Sequence, residues 1–252
     1  MYSIDLNCDC GESFGNYKIG MDSEVADFVT SANIACGFHA SDPLVMMKTV
    51  RMCKEKGVAV GAHPGFPDLV GFGRRKMEVK ADELKAMIIY QVGALKAFAE
   101  AEGLKLQHVK PHGAMYNMAA RDINMAIPIC EGIAEVDKEL IILGLSGSCF
   151  AEAAERTGLM FVSEVFADRA YEDDGSLRAR SLPGAVITDE AEAIKRVIKM
   201  IKEHSVTAYS GKEVHVEPGS VCLHGDNEKA LLFAKKIREA LTSERIEVKA
   251  MR

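Results

Sequence analysis

The feature of this sequence that most constrains its fold is an alternation of short apolar runs with longer segments of helical periodicity. Near-continuous apolar runs occupy residues 58–63, 106–111, 140–145, 159–166 and 220–225, and weaker ones occupy 2–7 and 29–37. Such runs are typical of strands that are buried on both faces of a parallel sheet. The sequence therefore predicts an α/β protein built on parallel strands.

Helical segments separate these runs. Apolar residues recur at intervals of three and four within residues 84–99, 194–201 and 230–241, as on the buried face of an amphipathic helix. About seven or eight βα units in one chain leave a closed barrel or a doubly wound open sheet. Polar motifs follow many strand ends rather than one or two, so we predict a single-domain (β/α) barrel over residues 1–252. Turn and alternation signals at 205–220 predict a small inserted hairpin.

Composition argues against several classes of function. The net charge is -6 and no dense Lys/Arg block occurs, so a nucleic-acid or anionic-membrane surface is not expected. No apolar run approaches the ~18 residues that cross a bilayer, and no basic-then-apolar leader opens the chain, which favours the cytoplasm. The seven cysteines are scattered, so reduced thiols are expected.

Four of the seven histidines follow predicted strands: His39 in "CGFHASD", His63 in "GAHPGFPD", His112 in "KPHGAMYN" and His224 in "LHGDN". The carboxyl ends of parallel strands meet in one crevice, so these side chains are expected to lie together in a polar site. Taken alone, His63 could be a turn histidine bonded to backbone. The other three, His108, His204 and His215, have ordinary neighbours and are expected to be structural or solvent-facing.

Carboxylates repeat the pattern, with Asp9 and Glu12 in "DLNCDCGE", and Glu164 and Asp168 in "SEVFADRAY". Asp9 could instead make only an Asx-turn. Glu164 lies inside an apolar run, where an unpaired carboxylate would cost several kcal/mol. It therefore requires a partner such as Arg or Lys, or a shared proton.

The combined inventory suits proton transfer near an anionic ligand. Carboxylates and imidazoles are acids and bases, Lys110, Arg74 and Arg169 are cations for anions, and Asn7 and Asn33 offer neutral hydrogen bonds. No P-loop, no dinucleotide-binding glycine motif and no G-x-S-x-G elbow occurs. Covalent serine chemistry is therefore disfavoured.

Seven motifs resemble, in order, those of the LamB/YcsF family, and the resemblance runs from about residue 4 to residue 240. They are "DLNCDCGE", "ANIACGFHA", "GAHPGFPD", "GFGRR", "KPHGAMYN", "SEVFADRAY" and "LHGDN". The resemblance implies a seven-stranded (β/α) barrel similar to glycoside hydrolase and carbohydrate deacetylase barrels. It also implies ATP-dependent opening of 5-oxo-L-proline (pyroglutamate) to L-glutamate, with ADP and phosphate, together with 5-oxoprolinase subunits B and C.

Motif positions suggest roles under that resemblance. Asp9, Glu12 and His112 are the candidates for positioning or deprotonating water, and Lys110 and Arg74 are those for stabilising phosphate or carboxylate. The residues predicted to line the pocket or bind substrate are His39, His63, Glu164, His224, Asn7, Asn33, Asp168 and Arg169. Without a P-loop, ATP could be bound either here or on the partner subunits.

Two other functions compete with this one. In the first, the barrel is a metal-dependent amidohydrolase or deacetylase in which His39, His63 and Asp9 hold a divalent cation that activates water. In the second, the chain is a non-enzymatic lactam-binding or regulatory protein whose partners carry out the chemistry. Metal analysis tests the first alternative, and substitution of the predicted acids and bases tests the second.

Overall fold

The computed structural model describes residues 2–223 and 227–251. The strands in that part of the chain are β1 (Ser3–Cys10), β2 (Ser31–Ala35), β3 (Ala59–His63), β4 (Leu106–Val109), β5 (Ile141–Leu145), β6 (Met160–Phe166), β7 (Ser205–Thr207), β8 (Glu213–His215), β9 (Ser220–Leu223) and β10 (Glu247–Val248). The helices are α1 (Asp22–Val25), α2 (Pro43–Lys56), α3 (Ala81–Ala101), α4 (Gly113–Ala119), α5 (Ile123–Val136), α6 (Cys149–Thr157), α7 (Glu190–Glu203) and α8 (Glu228–Ser243).

Seven parallel strands close into a barrel in the order β1, β2, β3, β4, β5, β6, β9. Strand β9 pairs with β6 on one side and with β1 on the other, which closes the sheet. Strand β10 pairs with the start of β1, where Ser3 lies opposite Glu247. Strands β7 and β8 form a separate antiparallel hairpin, with Ser205 opposite His215. The predictions of a closed seven-stranded barrel and of an inserted hairpin are confirmed.

The main apolar core lies between the barrel and its helices, whereas the barrel interior combines a polar network around β1 with a small apolar cluster that includes Ile141 and Leu143 of β5. Successive residues of a strand point to opposite faces of the sheet. On β1, Ile4 and Leu6 belong to the apolar core, while Asp5, Asn7 and Asp9 form hydrogen bonds or ion pairs with other barrel strands. The outward half of β1 thus packs with the apolar core, and its inward half builds the polar part of the interior.

The polar interior begins below the barrel mouth, around Asp5. Its carboxylate accepts hydrogen bonds from the hydroxyls of Thr30 (2.7 Å), Ser31 (2.6 Å) and Ser220, which together link β1 to β2 and β9. Burial raises the pKa of Asp5. Asn7 donates to the Ser220 hydroxyl at 2.7 Å and so connects this layer to the next one above it.

His108 fills the middle of the barrel. Its Nε2 lies 2.8 Å from Asn33 Oδ1, and the residue is fully buried, so the expectation of a structural role is confirmed. The opposite position on β3 is Gly61, where an added Cβ would lie only 2.0 Å from His108 Nε2. The glycine therefore makes room for the imidazole. The other two histidines of this group, His204 and His215, are exposed, as expected.

Helix ends follow local sequence rules. Asp42 caps α2 by accepting from the backbone N–H groups of Leu44 (2.8 Å) and Val45 (3.0 Å), and Gly57 ends it with a φ of 68°. Within residues 2–223 and 227–251, no helix has the length and apolar character needed to cross a membrane.

Candidate active site

The predicted polar residues meet at the carboxyl ends of the barrel strands, beneath a cavity of about 950 Å³. Asp9, Glu12, His63, Lys110 and His112 line this cavity. They come from the ends of β1, β3 and β4 and from the loops that follow these strands. Side chains that are far apart in the chain therefore converge because the strands are parallel.

Lys110 is the centre of the buried charge network. Its Nζ lies 2.7 Å from Glu164 Oε1, 3.1 Å from Asp9 Oδ1 and 3.2 Å from Asn7 Oδ1, and Cys222 Sγ is 3.3 Å away. Burial alone would lower the pKa of Lys110, but the Asp9 and Glu164 carboxylates and the Cys222 thiol outweigh it and hold this pKa well above its usual range. An ammonium group has three N–H donors, and protein acceptors occupy all of them. Lys110 thus orients protein carboxylates, rather than serving mainly as a free anion site.

Glu164 is the buried counter-charge of Lys110, as its position in an apolar run required. Its Oε2 accepts a hydrogen bond from the Tyr116 hydroxyl at 2.7 Å, and its exposure is 0%. Burial and the nearby carboxylate raise the pKa of Tyr116 well above its usual range, so the phenol keeps its proton and donates. Tyr116 was not among the predicted site residues. Its place in "KPHGAMYN", one helical turn after His112, was the available signal.

Asp9 connects Lys110 to the histidines. Its Oδ1 accepts from Asn33 Nδ2 at 2.9 Å, and its Oδ2 lies 3.3 Å from His63 Nε2. Burial would raise the pKa of Asp9, but His63 and Lys110 hold it well below its usual range. Asp9 is therefore a carboxylate at neutral pH, and its side chain keeps 22% exposure toward the cavity.

His63 and His112 form a hydrogen-bonded pair. His63 Nδ1 lies 2.6 Å from the Lys110 carbonyl, His112 Nε2 lies 2.8 Å from the Phe72 carbonyl, and the two remaining nitrogens are 2.9 Å apart. Because carbonyl oxygens only accept, both outer nitrogens are the donors of these two contacts, and the two inner nitrogens share a hydrogen bond. This hydrogen-bonded pair lies next to the Asp9 carboxylate.

The two histidines differ in environment. Burial, and then the neighbouring His63, lower the pKa of His112 to about 3, so the His112 ring is neutral, and its Nδ1 faces His63 Nε2 at 2.9 Å. Asp9 on one side and His112 on the other thus face the same imidazole nitrogen. This arrangement can pass a proton between a carboxylate and an imidazole.

His39 and Glu12 complete the cluster. The His39 ring stacks on His112 with centroids 3.7 Å apart and an interplanar angle of 4°. Burial, followed by His112 and His63, lowers the pKa of His39 well below its usual value. Glu12 Oε1 lies 3.4 Å from His39 Nε2 and 3.8 Å from His112 Nδ1. This carboxylate therefore faces both imidazoles.

The cluster has donor atoms that could hold a metal ion. Donor atoms of Glu12, His39, His63 and His112 lie within 4.8 Å of one another. His63 and His112 each direct one nitrogen to a backbone carbonyl and the other inward, which is the usual orientation of histidine ligands. This set fits a zinc-type cation. The ligand set predicted from the sequence was His39, His63 and Asp9. The set found here shares the two histidines with it and has Glu12 and His112 in place of Asp9.

Several predicted residues lie elsewhere than expected. The predicted residues that lie outside the cavity lining, within the described part of the chain, are Asn7, Asn33, His39, Glu164 and Asp168. The amide groups of the two asparagines form hydrogen bonds with protein partners below the barrel mouth, so they are not free to bind a substrate. His39 and Glu164 are fully buried, His39 stacked on His112 with ring centroids 3.7 Å apart and Glu164 paired with Lys110 at 2.7 Å. His224 lies outside the described residues.

The cationic residues lie higher, on the wall and rim of the cavity. Arg169 lines the wall and is only 7% exposed, whereas Arg74 lies on the rim, with its guanidinium 5.2 Å from the centre of the Phe72 ring. Asp68, a further acidic residue in this region, pairs with Arg75 and accepts from the Gly71 N–H at 2.9 Å. Asp68 thus shapes the loop that carries Arg74.

A closed parallel barrel with carboxylate, imidazole and ammonium groups at its C-terminal mouth is typical of (β/α)-barrel enzymes that transfer protons. The chain belongs to the LamB/YcsF family, whose model matches residues 4–252. The resemblance read from the seven motifs is confirmed.

Relatives match the chain along its length. A protein of Clostridium beijerinckii, named as the A subunit of 5-oxoprolinase, is 62% identical, and the match covers 98% of this chain and 97% of that protein. A protein of the same name from Bacillus licheniformis is 54% identical over 99% of both chains. The crystal structure of a lactam utilization protein from Thermus thermophilus is 46% identical and superimposes with a TM-score of 0.94, covering 99% of this chain and 100% of that one.

Proposed function

We propose that this chain is the A subunit of a 5-oxoprolinase, which opens the lactam ring of 5-oxo-L-proline to give L-glutamate. In this proposal the reaction consumes ATP, requires subunits B and C, and takes place in the cytoplasm. The observation that carries it is full-length similarity, at 62% identity, to a protein of that name. The buried Asp9–His63–His112 arrangement supports it, because a lactam needs proton transfer both to add water and to release nitrogen.

The site supplies both halves of that proton transfer. Asp9 is ionised and partly exposed to the cavity, so it is the base that accepts a proton from the attacking water. The hydrogen-bonded His63–His112 pair is the acid that donates to the departing ring nitrogen. Lys110 and Glu164 hold Asp9 in place from below.

ATP has a limited role in this scheme. Phosphorylation of the lactam oxygen by ATP would release ADP and make the ring carbon more electrophilic, so that water could add to it. The C–N bond would then break as the nitrogen takes a proton, and a second water would hydrolyse the resulting acyl phosphate to L-glutamate and phosphate. The sequence has no P-loop, which favours nucleotide binding on the partner subunits. The residues of this chain then act on an activated lactam.

The decisive experiment assays ATP-dependent glutamate formation from 5-oxo-L-proline with this chain alone, with the two partner subunits alone, and with the mixture. We expect turnover only in the mixture. Asp9→Asn and His112→Asn in the mixture should each lower kcat by about 100-fold or more. His215→Asn is the matched control, because His215 is an exposed histidine of the hairpin, and it should keep normal turnover. Turnover by the partners alone, or near-normal kcat in Asp9→Asn, would contradict the proposal.

The inward orientation of His63 and His112 favours a second candidate function, that of a metal-dependent amidohydrolase. A divalent cation bound to Glu12, His39, His63 and His112 would supply an activated water. Elemental analysis of the purified protein, with zinc titration of wild type and His39→Gln, tests it. Near-stoichiometric metal that His39→Gln loses would support this function, and metal-free protein with full turnover in the mixture would exclude it.

A further inference from the structure

A long segment between β6 and α7 covers part of the barrel mouth. It spans residues 167–187 and is named here the strap. Isolated bridges join Arg169 to Val186 and Tyr171 to Leu177, so the strap folds back on itself instead of leaving the barrel. It contributes Arg169, Arg178 and Arg180 to the cavity wall. The strap therefore brings arginine side chains to the cavity wall, where Arg178 pairs with Glu172 at 2.8 Å and Asp174 adds a carboxylate to the lining.

Arg169 is the unusual member of the strap. It is only 7% exposed, yet it forms no ion pair with any carboxylate in residues 2–223 and 227–251. Its Nη2 donates to the Arg178 carbonyl at 2.7 Å and its Nε to the Ala185 carbonyl at 3.4 Å. A guanidinium has five N–H donors and stays charged, so these two neutral acceptors leave both charge and donors unused.

The surroundings of Arg169 increase this excess of charge. Burial, and then the neighbouring Arg180 guanidinium, lower the pKa of Arg169, and the Asp168 carboxylate next to it in the chain offsets them only in part. A buried charge without an ion-pair partner costs several kcal/mol, so such a residue is usually completed by an anionic ligand. Arg169 lines the cavity, so a ligand can reach it.

The catalytic cluster below cannot provide the missing negative charge. Glu164 pairs with Lys110, Asp9 faces both Lys110 and His63, and Glu12 faces His39 and His112. These carboxylates contact groups of the cluster itself, and none of them forms an ion pair with Arg169. An anionic substrate group is therefore directed to the strap side of the cavity.

A second cation lies on the rim of the same cavity. The side chain of Arg74 forms no hydrogen bond or ion pair within the described ranges, and its guanidinium contacts the Phe72 ring. Its loop also provides the Phe72 carbonyl that accepts from His112. The rim cation and the catalytic imidazole are thus held by the same short segment.

We propose that the strap binds the phosphate group of a phosphorylated lactam, with Arg169 as its buried anchor and Arg74 as the second cation. This inference rests on the proposed function for the identity of the lactam but not for the phosphate site itself. A phosphate carries more charge than a carboxylate and accepts the bidentate hydrogen bonds that guanidinium groups form. The chain would then recognise its substrate after phosphorylation and would not need to bind the nucleotide.

The test is isothermal titration calorimetry of the full chain with inorganic phosphate, acetate and ADP at matched ionic strength. Arg169→Gln is the main variant, and Arg169→Lys keeps the charge while losing the bidentate geometry. Arg156→Gln is the matched control, because Arg156 is an exposed arginine of α6 that pairs with Glu152. Arg74→Gln provides a second readout if the Arg169 variants fail to fold, since Arg74 is exposed on the rim.

We expect phosphate to bind wild type and Arg156→Gln equally, and to bind Arg169→Gln or Arg74→Gln at least about tenfold more weakly. Arg169→Lys should lie between wild type and Arg169→Gln. The inference is overturned if wild type binds no phosphate, if acetate binds as well as phosphate, or if both glutamine variants bind it normally. It is also overturned if ADP binds more than about tenfold tighter than phosphate, because the site would then be a nucleotide site. None of these titrations needs partner subunits, so failure of glutamate formation in the mixture would leave the phosphate result standing.

Discussion

Replacing Glu164 by Gln should destabilise the fold more than any ordinary surface change. The substitution keeps the size of the side chain and leaves an acceptor for Tyr116, but it removes the nearer counter-charge of Lys110, 2.7 Å away. Breaking a fully buried pair costs about 3–5 kcal/mol. Asp9 still faces Lys110 at 3.1 Å, so we expect a loss at the low end of this range, about 3 kcal/mol in the free energy of unfolding. For a chain of this size that corresponds to a fall in Tm of about 6–12 °C.

A substitution of Lys110, the partner of Glu164, tests whether the unpaired charge causes this loss of stability. The double variant Glu164→Gln/Lys110→Met has neither the carboxylate nor the ammonium of this pair, so neither charge is left buried without its partner. Its loss of stability should therefore be about 2 kcal/mol smaller than the sum of the losses in the two single variants. Urea unfolding of the four proteins gives this coupling directly. Glu100→Gln is the control, because the exposed Lys96–Glu100 pair on α3 should contribute only about 0.5 kcal/mol. Additivity within about 0.5 kcal/mol in the buried cycle would refute the reasoning.

Two further predictions concern the middle layer of the barrel. The pKa of His108 is lowered to about 3 from 6.5, first by burial and then by Lys110, so between those pH values the unfolded chain binds a proton that the folded chain does not. The free energy of unfolding should therefore fall on acidification through this window by up to about 1.4 kcal/mol per pH unit. Urea unfolding at several pH values should show a weaker dependence of this free energy on pH for His108→Gln than for wild type. Equal pH dependences would contradict this prediction. Gly61→Ala should cost about 1–3 kcal/mol by driving a methyl group into the His108 ring. Gly93→Ala, a helix position with open space around it, should instead raise Tm, and similar melting of the two variants would argue against crowding at Gly61.

Much of the architecture could be predicted because its signals are local. Each apolar run of the sequence corresponds to a strand within the described residues, and helical periodicity marks α3, α7 and α8. Closure of the barrel was inferred from the spread of polar motifs over many strand ends, and the pairing of β9 with β1 confirms it. Local hydrophobic pattern and chain order are sufficient for these features because strand and helix periodicities differ.

The candidate site could be predicted only in part. The rule that parallel strand ends converge correctly brought Asp9, His63, Lys110 and His112 together. It did not separate residues that line the cavity from fully buried ones such as His39 and Glu164, which contact the lining residues His112 and Lys110. Depth depends on which neighbouring side chain lies on top, and that is decided by packing between strands rather than by motif spacing.

The sequence by itself determined the strand and helix pattern, the family and the set of chemical groups at the barrel mouth. Tertiary structure alone decided how those groups share their charge. It showed that Glu164 pairs with Lys110, that His63 and His112 are hydrogen-bonded to each other beside Asp9, and that Arg169 is buried without an ion pair in the described chain. The physical reason is that hydrogen bonding and charge compensation act over a few ångströms between residues distant in sequence, whereas hydrophobic periodicity is written along the chain itself.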